Sequence, residues 1–176
     1  MREGFKICVD VDYRENGAVA ACVGFLEWTD SVAAFETARR FAGAPADYES
    51  GQFYKREMPY VLELLRGLAA PPALLIIDGF VWLDGGRAGL GAHLAEALAG
   101  ACPLIGVAKR PFHEAANATP LLRGTSQVPL FVSAIGIELE EAVRGIAQMH
   151  GAHRVPTLLR RVDQLSRQAS PEASGP

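Results

Sequence analysis

A chain of 176 residues, 49% of them apolar, is long enough to form one domain around its own core without disulfide or metal staples. Its formal net charge of −3 lacks the basic balance usual in nucleic-acid-binding domains, although an acid-rich metal site lowers the total without touching a basic face elsewhere. Cys8, Cys22 and Cys102 have no metal spacing and read as small buried hydrophobes in a reducing cytoplasm; no apolar run is long enough for a membrane span, and no signal peptide is expected.

Phe5 to Tyr13 alternates, with Phe5, Ile7, Val9, Val11 and Tyr13 on one strand face and Lys6, Cys8, Asp10 and Asp12 on the other. If that second face is covered, each acid needs a partner, a proton or a metal. Arg14-Glu15-Asn16-Gly17 reads as a turn, with Asn-Gly as a strong hairpin signal, and Ala18 to Trp28 as the returning strand. Thr29-Asp30 is a second turn. Ser31 to Phe41 is ambiguous between a strand at VAAF and a helix at ETARRFA; two turns in succession favour an antiparallel three-stranded meander. Gly43 to Gly51 is a loop by composition. Glu57-Met58-Pro59 then opens a helix, with Pro59 in its first turn and Val61, Leu64, Leu65 and Leu68 as its apolar stripe. Glu57 at a helix start is explained by the exposed amides there as readily as by a function.

Ala73 to Ile77 is an unbroken apolar run suited to a strand buried on both faces, and Asp78 follows at its end. A carboxylate there lies at the rim where open α/β sheets hold ligands, though Asp before Gly79 also serves as a turn cap. Leu90, Leu94, Ala97 and Leu98 give the next helix its stripe, Gly100 ends it, and Pro103 prevents its continuation. Leu104 to Ala108 is a second buried strand, ending at Lys109. Strand, helix, strand implies a parallel pair, so Asp78 and Lys109 emerge on one sheet edge. The twenty residues after Lys109 show little pattern. Val128 to Ser133 reads as a strand. Glu138 to Met149 reads as an amphipathic helix with Leu139, Ala142, Val143 and Ile146 inward, and Pro156-Thr157 starts a last one. Arg154, Arg160, Arg161 and Arg167 gather there and read as a solvated basic surface more readily than as a phosphate site. A single domain is expected over residues 1–167, with a disordered tail over 168–176. The sum is an α/β fold. A three-stranded antiparallel meander feeds parallel strands, with helices on both faces, which resembles the ribonuclease H-like mixed sheet.

Asp10, Glu57 and Asp78 are hard oxygen donors that suit Mg²⁺ or Mn²⁺. Two such ions about 4 Å apart clamp the attacking and leaving oxygens of a phosphodiester. Lys109, at the same rim, places a cation where a phosphate oxygen would lie. The chain has no Walker loop, GxSxG, paired CxxC or HExxH motif. His93 lies beside an apolar stripe and reads as structural.

These residues carry a resemblance to the endonuclease V family, Mg²⁺-dependent nucleases that cut nucleic acid near deoxyinosine or inosine. CVDVDY is similar to the family's GVDxxY strand, YESGQFYKRE to YxPGxxxFRE, LLIIDGFV to LLLVDGHG, GLGAHLA to GLASHLG, PLIGVAK to PTIGVAK, and PLFVSAIGIELEEA to PLFVSPGHRISLEEA. The resemblance implies Asp10, Glu57 and Asp78 as metal and catalytic acids, Lys109 as the family lysine, and Tyr48, Gly51, Gly79, Gly89 and Gly136 as substrate-binding positions. Pro156-Thr157-Leu158 is similar to the family's PTR.

The chain departs from the pattern at several points. Ser133-Ala134-Ile135-Gly136-Ile137 stands where the family has its SPGH histidine, Phe80 replaces the histidine of DGHG, and Asp84 stands near a second family histidine. The strand-parting wedge is reduced to Asp47-Tyr48-Glu49-Ser50. Two functions fit: a Mg²⁺- or Mn²⁺-dependent endonuclease, or a weak or inactive relative that binds a nucleic acid or protein partner. The first is preferred, because three dispersed acids and a lysine are costly to retain unpaired. The reduced wedge and its added acid point to single-stranded DNA or RNA rather than intact duplex.

Overall fold

The computed structural model describes residues 4–43, 53–111 and 117–168. Its elements are β1 (Lys6–Arg14), β2 (Gly17–Phe25), β3 (Phe35–Ala42), α1 (Phe53–Arg66), β4 (Leu74–Asp78), α2 (Leu90–Ala97), β5 (Leu104–Ala108), β6 (Thr119–Leu121), β7 (Leu130–Ile135), α3 (Leu139–Gln148) and α4 (Thr157–Gln168). All seven strands join one mixed sheet in the order β3-β2-β1-β4-β5-β7-β6. β1, β2 and β3 form the antiparallel meander, β1, β4 and β5 run parallel, and β7 is antiparallel to both its neighbours. The expected ribonuclease H-like arrangement is present.

Strand alternation divides the core in two. Ile7, Val9 and Val11 of β1 share a layer with Leu75 and Ile77 of β4, Val61 and Leu64 of α1, and Leu90 and Leu94 of α2. Cys8 lies on the other face with Val23, Phe25, Ile76, Ile105 and Val132, under Ala142 and Ile146 of α3 and Leu158 and Val162 of α4. Leu75, Ile76 and Ile77 are at most 1% exposed, as a strand covered on both sides requires. Asp10 and Asp12 therefore point to the α4 side of the sheet.

The Arg14-Glu15-Asn16-Gly17 turn is present, with Arg14 paired to Gly17 and Glu15-Asn16 as its two loop residues. Gly17 also permits close packing: a Cβ there would lie 2.1 Å from the Phe41 carbonyl oxygen. Several other local expectations shift. The ambiguous segment is strand β3 and takes in the whole ETARRFA stretch, paired along β2 from Gly24↔Phe35 to Gly17↔Ala42. β2 is buried along its full length and offers its open edge to that pairing, which outweighs helix propensity. On α2, Ala97 is exposed and Ala95 is buried instead. β6 lies within the segment that shows no sequence pattern, and β7 is displaced two residues beyond the expected strand. β7 joins β5 antiparallel because no crossover helix lies between them. α4 continues through Gln168, and the remainder of the expected tail lies outside the described residues. Among the described residues no helix is long and apolar enough to cross a membrane.

Ile76, fully buried between α4 and the sheet centre, tests this two-layer core. Ile76→Ala should cost about 2–5 kcal/mol in denaturant unfolding, while Leu26→Ala, at a 47% exposed site, should stay within about 0.5 kcal/mol. Equal effects at both sites would contradict the assigned burial.

Candidate active site

Register brings the strand-end groups together. β1 and β4 pair in parallel through Val9↔Ile77, so Asp10 and Asp78 follow side by side on strands about 4.8 Å apart. Asp78 pairs in turn with Val107, and Lys109 lies one same-face step beyond it. Lys109 Nζ donates to Asp78 Oδ2 at 2.5 Å. Asp10, Asp78 and Lys109 line one cleft with Val107, Val155, Leu159 and Asp163. The cleft therefore lies between the carboxyl ends of the parallel strands and α4.

Asp10 is held from above. Ser166 Oγ, fully buried on α4, donates to Asp10 Oδ2 at 2.5 Å. Burial raises the Asp10 carboxyl above its ordinary range; the Ser166 hydrogen bond opposes that, and the charge of Asp78 adds to it. Asp12, one same-face step along, instead pairs with Arg14, whose guanidinium also donates to the Ser166 and Arg167 carbonyls at the end of α4.

Glu57 reaches the same rim from the opposite layer. α1 begins by Phe53, so Glu57 lies in its second turn and Pro59 inside the helix, not at its opening. A macrodipole effect fades within the first turn, so the helix-start account of Glu57 does not hold. Glu57 is 6% exposed, and its Oε2 has no hydrogen-bond partner among the described residues. Burial pushes its pKa well above 4.5, and the charges of Asp10 and Asp78 push it further.

Gly79 turns the chain away after Asp78 at φ 139°, in the region that favours glycine. The turn rests on β5: a Cβ at Gly106 would lie 2.5 Å from the Gly79 carbonyl oxygen and 2.8 Å from Ser133 Oγ. Ser133 Oγ, buried on β7, accepts the Val81 amide at 3.0 Å. Gly89 closes the same turn, its amide donating to the Val81 carbonyl at 2.9 Å. Phe80 is buried, and Asp84 pairs with Arg87. His93 stacks on Tyr54 at 3.6 Å between ring centroids, in keeping with a structural role.

The structure does not bring Gly136 to this site. β7 runs antiparallel to β5, so Gly136 lies against Pro103, at the far end of β5 from Lys109 and about 20 Å along the strand. The position of the missing family histidine therefore faces away from the acids. Tyr48, Gly51 and the wedge residues 47–50 lie outside the described residues. Sequence reading missed Asp163 and Ser166, which lie on the helix that it took as merely basic. The available signal was their three-residue spacing beside the inward Val162.

The family model for endonuclease V matches residues 5–133. The chain belongs to the endonuclease V family. A Streptomyces avermitilis endonuclease V is 35% identical over 189 residues, spanning 94% of this chain and 80% of that relative. The crystal structure of human ENDOV superposes with a TM-score of 0.72 at 26% identity, covering 94% of this chain and 83% of that one. Ciona intestinalis endonuclease V, solved with a 23mer DNA containing an inosine followed by a ribo-adenosine, gives 0.77 over 94% and 84% of the two chains; at 19% identity this is likeness of fold. Asp163 and Ser166 lie beyond the matched segment of the family model.

Among the described residues no three Asp, Glu, His or Cys side chains form a ready-made metal cage. The reason is visible in their partners: Asp78 is turned to Lys109, Asp10 to Ser166, and Glu57 approaches from the other layer. The donor chemistry nonetheless fits a hard cation. A buried carboxylate oxygen of Glu57 lacks a partner among the described residues, and nearby carboxylate charge raises the proton affinity of Asp10 and Glu57.

Two outcomes follow. The raised folded pKa of Glu57 means that the folded state holds a proton there which the unfolded chain loses near pH 4.5. Its contribution is complete below that pH and is lost as pH rises through the higher folded value. In chelator, Glu57→Gln should gain stability relative to wild type as pH rises above about 4.5; a pH-independent difference in melting temperature would refute this. Gly106→Ala should lower the melting temperature by displacing the Gly79–Val81 turn, and by more than Ile105→Val, which costs only about 0.5–1.5 kcal/mol. Equal melting temperatures in the two variants would show that the turn does not depend on Gly106.

Proposed function

We propose that this chain is a divalent-metal-dependent endonuclease that hydrolyses phosphodiester bonds in nucleic acid, near deoxyinosine or inosine. The supporting observation is the meeting of Asp10, Asp78 and Lys109 in one cleft, with buried Glu57 behind them, in a member of the endonuclease V family. Asp10, Glu57 and Asp78 would hold Mg²⁺ or Mn²⁺, with Asp163 facing the same cleft. When bound, the ion supplies Lewis-acid stabilisation of charge at the phosphate.

The chain's own groups have separate tasks. Ser166 fixes the orientation of the Asp10 carboxylate. Lys109, held on Asp78, carries an ammonium at the rim, where it donates to a phosphate oxygen. The Gly79–Gly89 turn, with no side chain at Gly79, leaves room for a base beside the scissile bond. Tyr48 and Gly51 complete the substrate side in this reading. The histidine missing from Gly136 takes nothing from the cleft, so the activity rests on the acids and Lys109. The reduced wedge favours single-stranded DNA or RNA, which need no strand parting.

The test is cleavage of inosine-containing and plain single-stranded DNA, duplex DNA and RNA at low salt with Mg²⁺ or Mn²⁺, together with Mn²⁺ calorimetry. Asp10→Asn and Asp78→Asn should each weaken Mn²⁺ binding at least about tenfold and abolish cleavage, since each removes a charged donor. Inosine-containing single strands should be cut faster than the matched duplex. Unchanged Mn²⁺ affinity in both variants would end the proposal. Tight oligonucleotide binding without cleavage would mark the chain as a binding module.

A further inference from the structure

Lys109 has a second anchor besides Asp78, and it comes from residues outside the cleft chemistry. Beyond Ala108↔Phe131 the β5–β7 ladder runs out, and Pro129, at the entry to β7, has no amide proton to extend it. A side chain takes over. The Arg154 guanidinium donates from one nitrogen both to the Lys109 carbonyl and to the Pro129 carbonyl, the latter at 2.8 Å. It thus acts as a final rung between the two strands at the point where Lys109 leaves the sheet. Val155, the next residue, lines the cleft with Asp10, Asp78 and Lys109. One peptide segment therefore anchors the lysine's backbone and forms the wall opposite it.

That segment is itself clamped. Arg123, 7% exposed and just after β6, donates from one terminal nitrogen to the His153 and Arg154 carbonyls at 2.9 and 3.3 Å. From the other it donates to the Met149 and Gly151 carbonyls. Gly124 beside it allows the approach, since a Cβ there would lie 2.0 Å from the Ala152 carbonyl oxygen. A planar fork with fixed donors suits this work, because it meets several carbonyl dipoles in one geometry. The sequence presents Arg154 as one of a group of surface arginines; the structure turns it inward to the backbone of Lys109.

We propose that Arg154, supported by Arg123, is the positioning residue of Lys109: it fixes the lysine's backbone so that the ammonium meets Asp78 and the substrate phosphate in one place. The inference rests on the nuclease reading for its kinetic consequence, but its structural content stands apart from it. A displacement of about 1 Å at a catalytic group costs up to about 100-fold in rate, and a backbone hydrogen bond is the means by which a flexible four-carbon side chain is held to that tolerance.

The experiment combines kinetics with a spectroscopic arm. The chain has three lysines, Lys6, Lys55 and Lys109, so ¹³C-lysine labelling gives three side-chain ε-methylene signals, assigned with Lys109→Ala. In the full-length protein, Arg154→Gln should shift and sharpen the Lys109 signal while leaving Lys6 and Lys55 in place. It should lower kcat about 10- to 100-fold with KM within about threefold. In the Lys109→Ala background the same substitution should add less than about twofold, because the group it positions is gone. Arg123→Gln tests the support and should move the Lys109 signal in the same direction. An unchanged Lys109 signal in Arg154→Gln, or a full additional loss of kcat in the Lys109→Ala background, would overturn the assignment. If the wild-type protein cuts no oligonucleotide, the nuclease reading falls and the Lys109 signal still decides the positioning role.

Discussion

Parallel pairing of β1, β4 and β5 is the constraint on which the site depends. Parallel strands end together, so the residues that leave the sheet from each of them meet on one rim. Val9↔Ile77 and Asp78↔Val107 fix which residues those are. A slip of one residue would send Asp10 or Asp78 to the α1 layer and separate the carboxylates. The unbroken apolar runs in β4 and β5 guard against such a slip less well than alternation would, because both of their faces are buried. The register is held instead from outside the strands: Gly106 admits the turn after Asp78, Ser133 pins that turn, and Arg154 closes the end of the β5–β7 pair.

Bringing three acids to one rim is unfavourable in itself, and the surrounding residues show how the fold limits the cost. Each carboxylate is treated differently. Asp78 receives an ammonium, Asp10 receives a buried hydroxyl, and Glu57 receives nothing among the described residues. The least compensated acid is also the most buried, so it is the one whose proton affinity rises furthest. A group in that state favours anything that brings positive charge, whether a proton or a hard cation. Burial, like charge and an orphan oxygen all act in one direction at Glu57, which distinguishes it from a buried acid tied into a structural ion pair.

Much of the fold was legible because its signals are local. The alternation of β1 sorted Asp10 from Val9 and Val11 correctly, and the apolar runs of β4 and β5 placed Asp78 and Lys109 at strand ends. What the sequence obscured depends on long-range partners. Glu57 looked like a helix-start acid because Pro59 mimics a helix opening; the earlier start of α1 at Phe53 becomes evident only from the fold. β3 looked partly helical because its strand character comes from β2. Ser166 and Arg154 are ordinary in sequence, and their importance lies in reaching residues 156 and 45 positions away.

The missing histidine shows how a motif can mislead when its place in the sheet is unknown. In sequence, Gly136 follows a strand and stands near other motif residues, so its change from the family pattern suggests damage to the chemistry. In the sheet, β7 descends where β5 ascends, and each residue after Ser133 moves away from Lys109. α4 returns to the cleft instead, tied to β3 by the two-point Arg161–Glu36 contact at 2.7 and 2.6 Å, and to β1 by Arg14 and Ser166. Those ties set Asp163 over the acids from a helix beyond the matched motifs. The cleft is thus assembled from two parts of the chain, a motif-bearing sheet edge and a helix whose contribution is readable only in three dimensions. A departure in the first part has to be judged by which end of its strand it occupies.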